Sequence, residues 1–133
     1  MRPPRETSKM KKFFALLLLP VLLAGCSSIT NLTPSRSSRD PSGFYRVEAQ
    51  WRSNRQAIRP ESFKPLVVIN NDTIPMRPVA LVQDRWEAYI PVPAGQDVVH
   101  YHYKFDFLIN AISQPRADSL MSSDYSLKIT DAK

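Results

Sequence analysis

The feature that most constrains the fold is a strict alternation of apolar and polar residues between positions 99 and 107. Successive side chains of a β-strand point to opposite faces of the sheet, so a period of two predicts a strand with one face in a core and the other in water. Such a strand needs partners to pair with and a second layer to cover its apolar face. The apolar members are Val99, Tyr101, Tyr103, Phe105 and Phe107, and the residues between them are His100, His102, Lys104 and Asp106.

Shorter segments with strand-like patterns, separated by turn residues, lie on both sides of this stretch. No window from residue 43 onward carries an apolar stripe of helical period. Residues 43–131 are therefore predicted to form an all-β domain, a small antiparallel β-sandwich of about seven strands. The expected strands cover residues 44–51, 64–70, 73–76, 79–82, 86–90, 99–107 and 125–129, and residues 110–123 are expected to be a long connection with at most one helical turn.

Two segments resemble known β-sandwich families. Residues 124–130 resemble the closing strand of immunoglobulin-like folds, and residues 86–105, with the turn Pro91-Val92-Pro93-Ala94-Gly95, resemble early-set immunoglobulin-like modules. Some early-set modules bind glycans, so the resemblance implies the fold and leaves a glycan ligand open. The Cys–Trp–Cys set of antibody domains is absent from the sequence.

The N-terminal segment has the pattern of an export signal. Lys9, Lys11 and Lys12 precede an apolar run of 12 residues, 13–24, which is followed by Gly25 and Cys26. A bilayer span needs roughly 20 apolar residues, so this run predicts a removable signal helix rather than a permanent anchor.

The end of this run, Leu23-Ala24-Gly25-Cys26, resembles the lipobox of bacterial lipoproteins. The resemblance implies that residues 1–25 are a signal peptide, that the thiol of Cys26 receives a diacylglyceryl group, and that palmitate-type acyl chains hold the protein on a membrane. Ser27, rather than Asp, follows the cysteine. In the sorting rule of many such bacteria this favours the cell outer membrane. Residues 26–42, rich in Ser, Pro and Arg, are expected to be the lipidated cysteine and a flexible linker.

Charge argues against a nucleic-acid ligand. The chain has 18 basic and 12 acidic residues, but five of the basic residues and one acidic residue precede Cys26. From Cys26 onward there are 13 basic and 11 acidic residues, a net charge of +2. This charge is ordinary for the surface of an exported domain. The basic stretch Arg46, Arg52, Arg55 and Arg59 has two interpretations, a solvated strand edge or a contact with anionic lipid.

Catalytic motifs are missing from the sequence, and no enzyme activity or cofactor is predicted. From Cys26 onward the only glycines are Gly43 and Gly95, which excludes a glycine-rich phosphate loop, and no nucleophile elbow or zinc-protease helix is present. Two candidate sites are left. His100 and His102 are expected about 6.6–6.8 Å apart on one face of a strand, where a third ligand from Asp97, Asp106 or a neighbouring strand would be needed to hold a metal ion. Trp51 and Trp86 are expected in the core, or, if exposed, as a platform for a sugar ring.

Three hypotheses about function follow. The first is a membrane-anchored, non-catalytic envelope protein that binds a protein partner or has a structural role. The second is a glycan- or peptidoglycan-binding module centred on a tryptophan. The third is a metal-binding envelope protein centred on the two histidines.

Overall fold

A computed structural model describes residues 26–131 and places the alternating stretch in the longest strand of the domain. The expected signal peptide, residues 1–25, lies outside the described residues. The first sheet has the spatial order β1 (Ser27–Asn31), β3 (Phe44–Ser53), β7 (Arg85–Pro91) and β6 (Arg77–Pro78). The second has the order β2 (Arg36–Ser38), β10 (Tyr125–Thr130), β8 (Val98–Ile109), β4 (Lys64–Ile69) and β5 (Asp72–Pro75), and β9 (Arg116–Met121) also pairs with β8.

The strand order is that of an immunoglobulin-like sandwich. Within the described residues every strand pair is antiparallel except β2 with the closing strand β10. The first strand pairs with β3 in one sheet, and the chain then crosses so that β2 flanks β10 in the other. The prediction of an all-β sandwich is confirmed, with ten strands in the described part rather than about seven.

The core forms where the two sheets face each other. All five apolar members of the alternating stretch are buried, as are the inward residues of β3 and β4. At one end of the core, Trp51, Phe63 and Phe105 form an aromatic cluster with ring centroids 5.0–5.5 Å apart. Every buried core residue among those described lies between Tyr45 and Ile129, so residues before β3 supply none of the fully buried core.

Two local predictions are wrong. Residues 79–84 form a turn rather than a strand, because Leu81 and Asp84 adopt positive φ angles of 63° and 61°, which a strand excludes. Residues 116–121 form β9 rather than part of a loop. Most residues of β9 are exposed, and the strand is held by backbone pairing along β8. Its sequence therefore lacks the apolar alternation that would have predicted a strand.

The prediction of a flexible linker at residues 26–42 is also wrong where the segment forms β1 and β2, which together take up eight of its residues. β1 pairs along five residues with β3, from Ser27 opposite Ser53 to Asn31 opposite Ala49, and β2 pairs with β10. Both strands lie at sheet edges, where backbone hydrogen bonds supply the stability that a polar sequence cannot obtain by burial. The high content of Ser, Pro and Arg predicted disorder because it could not reveal this backbone pairing.

Side-chain hydrogen bonds fasten the end of β1 and the residues directly after it to the core. The Tyr103 hydroxyl donates to Asn31 Oδ1 at 2.7 Å, and Asn31 Nδ2 donates to the Tyr101 hydroxyl at 3.1 Å. The Thr33 hydroxyl lies 3.1 Å from the Tyr103 hydroxyl and accepts from the Glu48 backbone N–H at 2.8 Å. Burial raises the pKa of Tyr103 far above its ordinary value, so the hydroxyl stays protonated and able to donate.

Tyr103→Phe is expected to lower the free energy of unfolding by about 1–2 kcal/mol, because the Asn31 and Thr33 groups lose a partner. The measurement is urea unfolding of the variant and the wild type. Tyr125→Phe is the matched control, since the structure gives the Tyr125 hydroxyl no hydrogen bond within residues 26–131. Its effect should stay within about 0.5 kcal/mol. Equal losses in both variants would mean that residues 31–33 are not fastened as described.

Candidate functional site

Cys26 lies at one end of the sandwich, directly before the first strand. Its thiol is free and its side chain exposed. The Cys26 backbone N–H donates to Asn54 Oδ1 at 2.6 Å, and the Asn54 N–H donates to the Cys26 carbonyl at 3.3 Å. The hydroxyls of Ser27 and Ser53 lie 2.7 Å apart. These contacts fix the cysteine against the folded domain.

Two turns share this end with Cys26. The Trp51 N–H donates to the Asp84 carbonyl at 2.8 Å, which places the 79–84 turn beside the end of β3. The Asn110 N–H donates to the Ala57 carbonyl at 2.8 Å, which places the 110–115 turn beside the segment that follows Asn54. We call this part of the domain the Cys26 end; it comprises Cys26 and residues 52–63, 79–85 and 110–118.

The two turns each present an exposed aliphatic residue. Leu81 and Ile112 have exposures of 107% and 109%, the highest among the large hydrophobic residues that the structure describes as exposed. Val82, beside Leu81, is also exposed. Leu81 has a φ of 63°, a left-handed conformation that is unfavourable for a bulky side chain. Neither residue could be singled out from the sequence, because the pattern predicted a strand around Leu81 and a connection around Ile112.

Arginine is concentrated at the Cys26 end. This end contains five arginines and three carboxylates. The opposite end, residues 39–43, 92–97 and 131, has one arginine and three aspartates. The domain is therefore basic at the end where Cys26 lies and acidic at the other. The arginines are Arg52, Arg55, Arg59, Arg85 and Arg116, and the carboxylates at the same end are Glu61, Asp84 and Asp118.

Arg46, which the sequence groups with the other arginines, lies elsewhere. It points outward from the middle of the first sheet, where its Nε donates to Glu87 Oε2 at 2.5 Å. This hydrogen bond lowers the pKa of Glu87 and raises that of Arg46. Arg77 and Glu48 complete the group of charges, so the outer face of the first sheet largely neutralises itself.

The two tryptophans both line one cleft at the Cys26 end. Trp51 is buried, with 8% of its surface exposed, whereas Trp86 is half-buried and packs against Phe63 at a centroid distance of 5.5 Å. The cleft has a volume of about 300 Å³, and Arg55 and Asp84 contribute its charged groups. Trp51 is thus a core residue, and Trp86 has only part of its ring available to a ligand.

His100 and His102 lie on the same face of β8, as their spacing predicts, but each has its own partner. His100 Nδ1 lies 2.9 Å from the Ser126 hydroxyl, and His102 Nδ1 lies 3.4 Å from Asp124 Oδ1. Asp97 and Asp106, suggested by the sequence as third ligands, form ion pairs with Arg39 and Lys104. Among residues 26–131 no group of three His, Cys, Asp or Glu side chains converges to hold a metal ion.

Comparison with known proteins adds little to this description. No protein-family model and no curated protein matches the chain. Among solved structures the chain is similar to murine CRIg, with 14% sequence identity, 80% of this chain and 99% of that chain covered, and a TM-score of 0.41. The fold therefore stands on the strand order and register of the two sheets. Residues 26–131 contain no helix with the length and hydrophobicity of a bilayer span.

Proposed function

We propose that the protein is a bacterial cell-envelope lipoprotein, anchored through acyl chains on Cys26, whose sandwich is a non-catalytic protein-interaction or structural module. The lipobox supplies the chemistry expected at Cys26, and Ser27 after it favours the outer membrane. The observation that supports the proposal most is the position of Cys26. The thiol is exposed and the first strand begins at the next residue. Among the described residues the fully buried core begins at Tyr45, and Ile29, which packs against it, also follows Cys26. Cleavage before Cys26 would leave this core intact.

The outer face of the second sheet is the proposed surface for binding a partner. On the outer face of the first sheet, Arg46 and Arg77 pair with Glu87, and the Arg77 guanidinium also lies over the exposed ring of Tyr89. Phe44, 51% exposed, lies at the start of that face. On the second sheet, Met121 lies opposite Lys104 and is 59% exposed, and Val98 near the start of the same face is 41% exposed. Methionine is enriched in protein interfaces relative to the rest of the protein surface, so Met121 marks the proposed contact position. The proposed partner is another envelope protein.

A photo-crosslinking experiment in intact cells tests the interaction role. Met121→p-benzoyl-phenylalanine is expected to give a discrete adduct with one envelope protein on irradiation. Tyr89→p-benzoyl-phenylalanine is the matched control, because Tyr89 is similarly exposed, at 47%, but lies on the outer face of the first sheet. The same adducts from both positions, or only abundant envelope proteins from Met121, would count against a dedicated partner on the second sheet.

Glycan binding is a second candidate, with Trp86 as its supporting observation. The half-buried ring lines an open cleft with Asp84 and Arg55, and such polar groups beside an aromatic ring suit a sugar. Soluble peptidoglycan fragments would then change the tryptophan fluorescence of the wild type but not of Trp86→Phe. An unchanged wild-type spectrum at millimolar fragment would remove this candidate.

A further inference from the structure

The anchor point and the folded domain are joined without a spacer. Cys26 hydrogen-bonds to Asn54 on the domain, and β1 begins at Ser27. A flexible linker of about 16 residues would have held the domain about 20–24 Å from the anchor. Residues 27–31 are instead a paired strand, so acyl chains on the Cys26 sulfur would hold this end of the domain against the lipid surface.

The Cys26 end carries the side chains that a lipid surface accepts. Leu81 and Ile112, on separate turns, are fully exposed to solvent, and Val82 adds to the first of them. Isolated aliphatic residues at loop tips bury their surface when they enter the boundary between headgroups and acyl chains, about 5–10 Å deep. Leu81 is also held in a left-handed conformation that leucine does not favour, which suggests that the turn is kept for a purpose other than stability.

Charge gives the same orientation. Arg55 forms an ion pair with Asp118, and Arg59 Nε donates to Asn110 Oδ1. The other three arginines of the Cys26 end would face anionic headgroups, and the aspartates of the opposite end would face away from them. Two of the arginines, Arg52 and Arg116, are exposed and form no ion pair with another residue in the range 26–131. Basic residues near an anionic leaflet are attracted to it individually, so an asymmetric distribution orients the whole domain.

We propose that the Cys26 end is a membrane-seating surface, in which Leu81 and Ile112 enter the headgroup region of an anionic leaflet and the surrounding arginines contact its phosphates. This inference rests on the proposed anchoring at Cys26. A lipid surface is favoured over a protein partner here because the acyl chains, the apolar tips and the basic side chains all lie at one end.

The test uses the full-length lipoprotein, purified from membranes and reconstituted into phosphatidylethanolamine–phosphatidylglycerol vesicles. Single cysteines are introduced by Leu81→Cys, Ile112→Cys and, at the opposite end, Ala94→Cys, and are labelled with an environment-sensitive fluorophore. Labels at 81 and 112 are expected to shift to shorter wavelength and to be quenched by headgroup-level lipid quenchers, whereas the label at 94 stays in water. The parent protein should take no label, since its only thiol carries the lipid.

A second measurement separates insertion of the protein from insertion of the fluorophore. With the label kept at Gln83→Cys, the additional change Leu81→Asp is expected to abolish most of the quenching. Ala94→Asp is the matched control, because it adds the same charge at the opposite end, and it should change the quenching little. Arg52→Gln with Arg116→Gln is expected to reduce quenching on anionic vesicles and to leave it unchanged on phosphatidylcholine vesicles.

The outcomes distinguish this inference from the anchoring itself. Protein that floats with the vesicles while labels at 81, 112 and 94 behave alike would overturn the seating surface and leave the anchor standing. A spectral shift at 81 and 112 that appears only on adding envelope proteins would overturn it too and assign this end to a protein partner. Protein that does not float with the vesicles and whose Cys26 thiol still reacts with the label would overturn the proposed function as well.

Discussion

Converting the proposed lipobox into an ordinary cleavage site is expected to move the protein from the detergent phase to the aqueous phase. The change is Leu23→Ala with Cys26→Ala, which places small residues at 23 and 25 and removes the sulfur that is proposed to be acylated. Small residues at those positions suit the ordinary signal peptidase, so the signal is still removed. Each buried methylene contributes about 0.8 kcal/mol to membrane binding, and two or three acyl chains hold a protein stably. Their loss should release almost all of the protein.

The readout is detergent-phase partitioning of the exported protein, with its mass measured in each phase. Ser27→Ala is the matched control, because it alters the neighbouring residue and keeps Cys26; it should remain in the detergent phase. A double variant that is cleaved and still partitions into detergent would show that something other than Cys26 anchors the domain.

Phe105→Ala is expected to lower the free energy of unfolding by about 3–5 kcal/mol, a loss of at least about a fifth of the roughly 5–15 kcal/mol that stabilises an ordinary domain. Phe105 has no exposed surface, and its ring contacts Trp51 and Phe63 at centroid distances of 5.4 and 5.5 Å. The aromatic cluster encloses the ring between the two sheets, so a cavity would remain. Urea unfolding of the aqueous, unlipidated form measures the loss.

Ile112→Ala is the control for this prediction. The residue is also large and hydrophobic, but it is fully exposed, so its truncation should change the stability by no more than about 0.5 kcal/mol. A loss below about 1 kcal/mol for Phe105→Ala would mean that the two sheets do not pack as described.

The parts of the fold that could be predicted are the strands in which buried and exposed residues alternate along the sequence. β8 alternates over its whole length, and β3 and β4 carry inward residues at every second position. Turns around Asn70 and Gly95 could be placed, because these residues take the positive φ angles that such turns require. These elements were enough to indicate a sandwich.

The remaining elements carry no such signal. β1, β2 and β9 are edge or hairpin strands whose stability comes from backbone pairing with β3, β10 and β8, and pairing between distant segments leaves no local pattern. For the same reason the sequence could not show that the segment after Cys26 is fastened to Tyr103 through Asn31. It also could not bring Leu81, Ile112 and the arginines to one end, since their nearness depends on the register of strands that are distant in the chain.

The most direct test of the account is the intact mass and first residue of the mature protein purified from cells that produce it naturally. The account predicts a chain that begins at Cys26 and exceeds the mass of residues 26–133 by a diacylglyceryl group, with or without a third acyl chain. A mature chain that begins upstream of Cys26, or one that has only the mass of its amino acids, would contradict it.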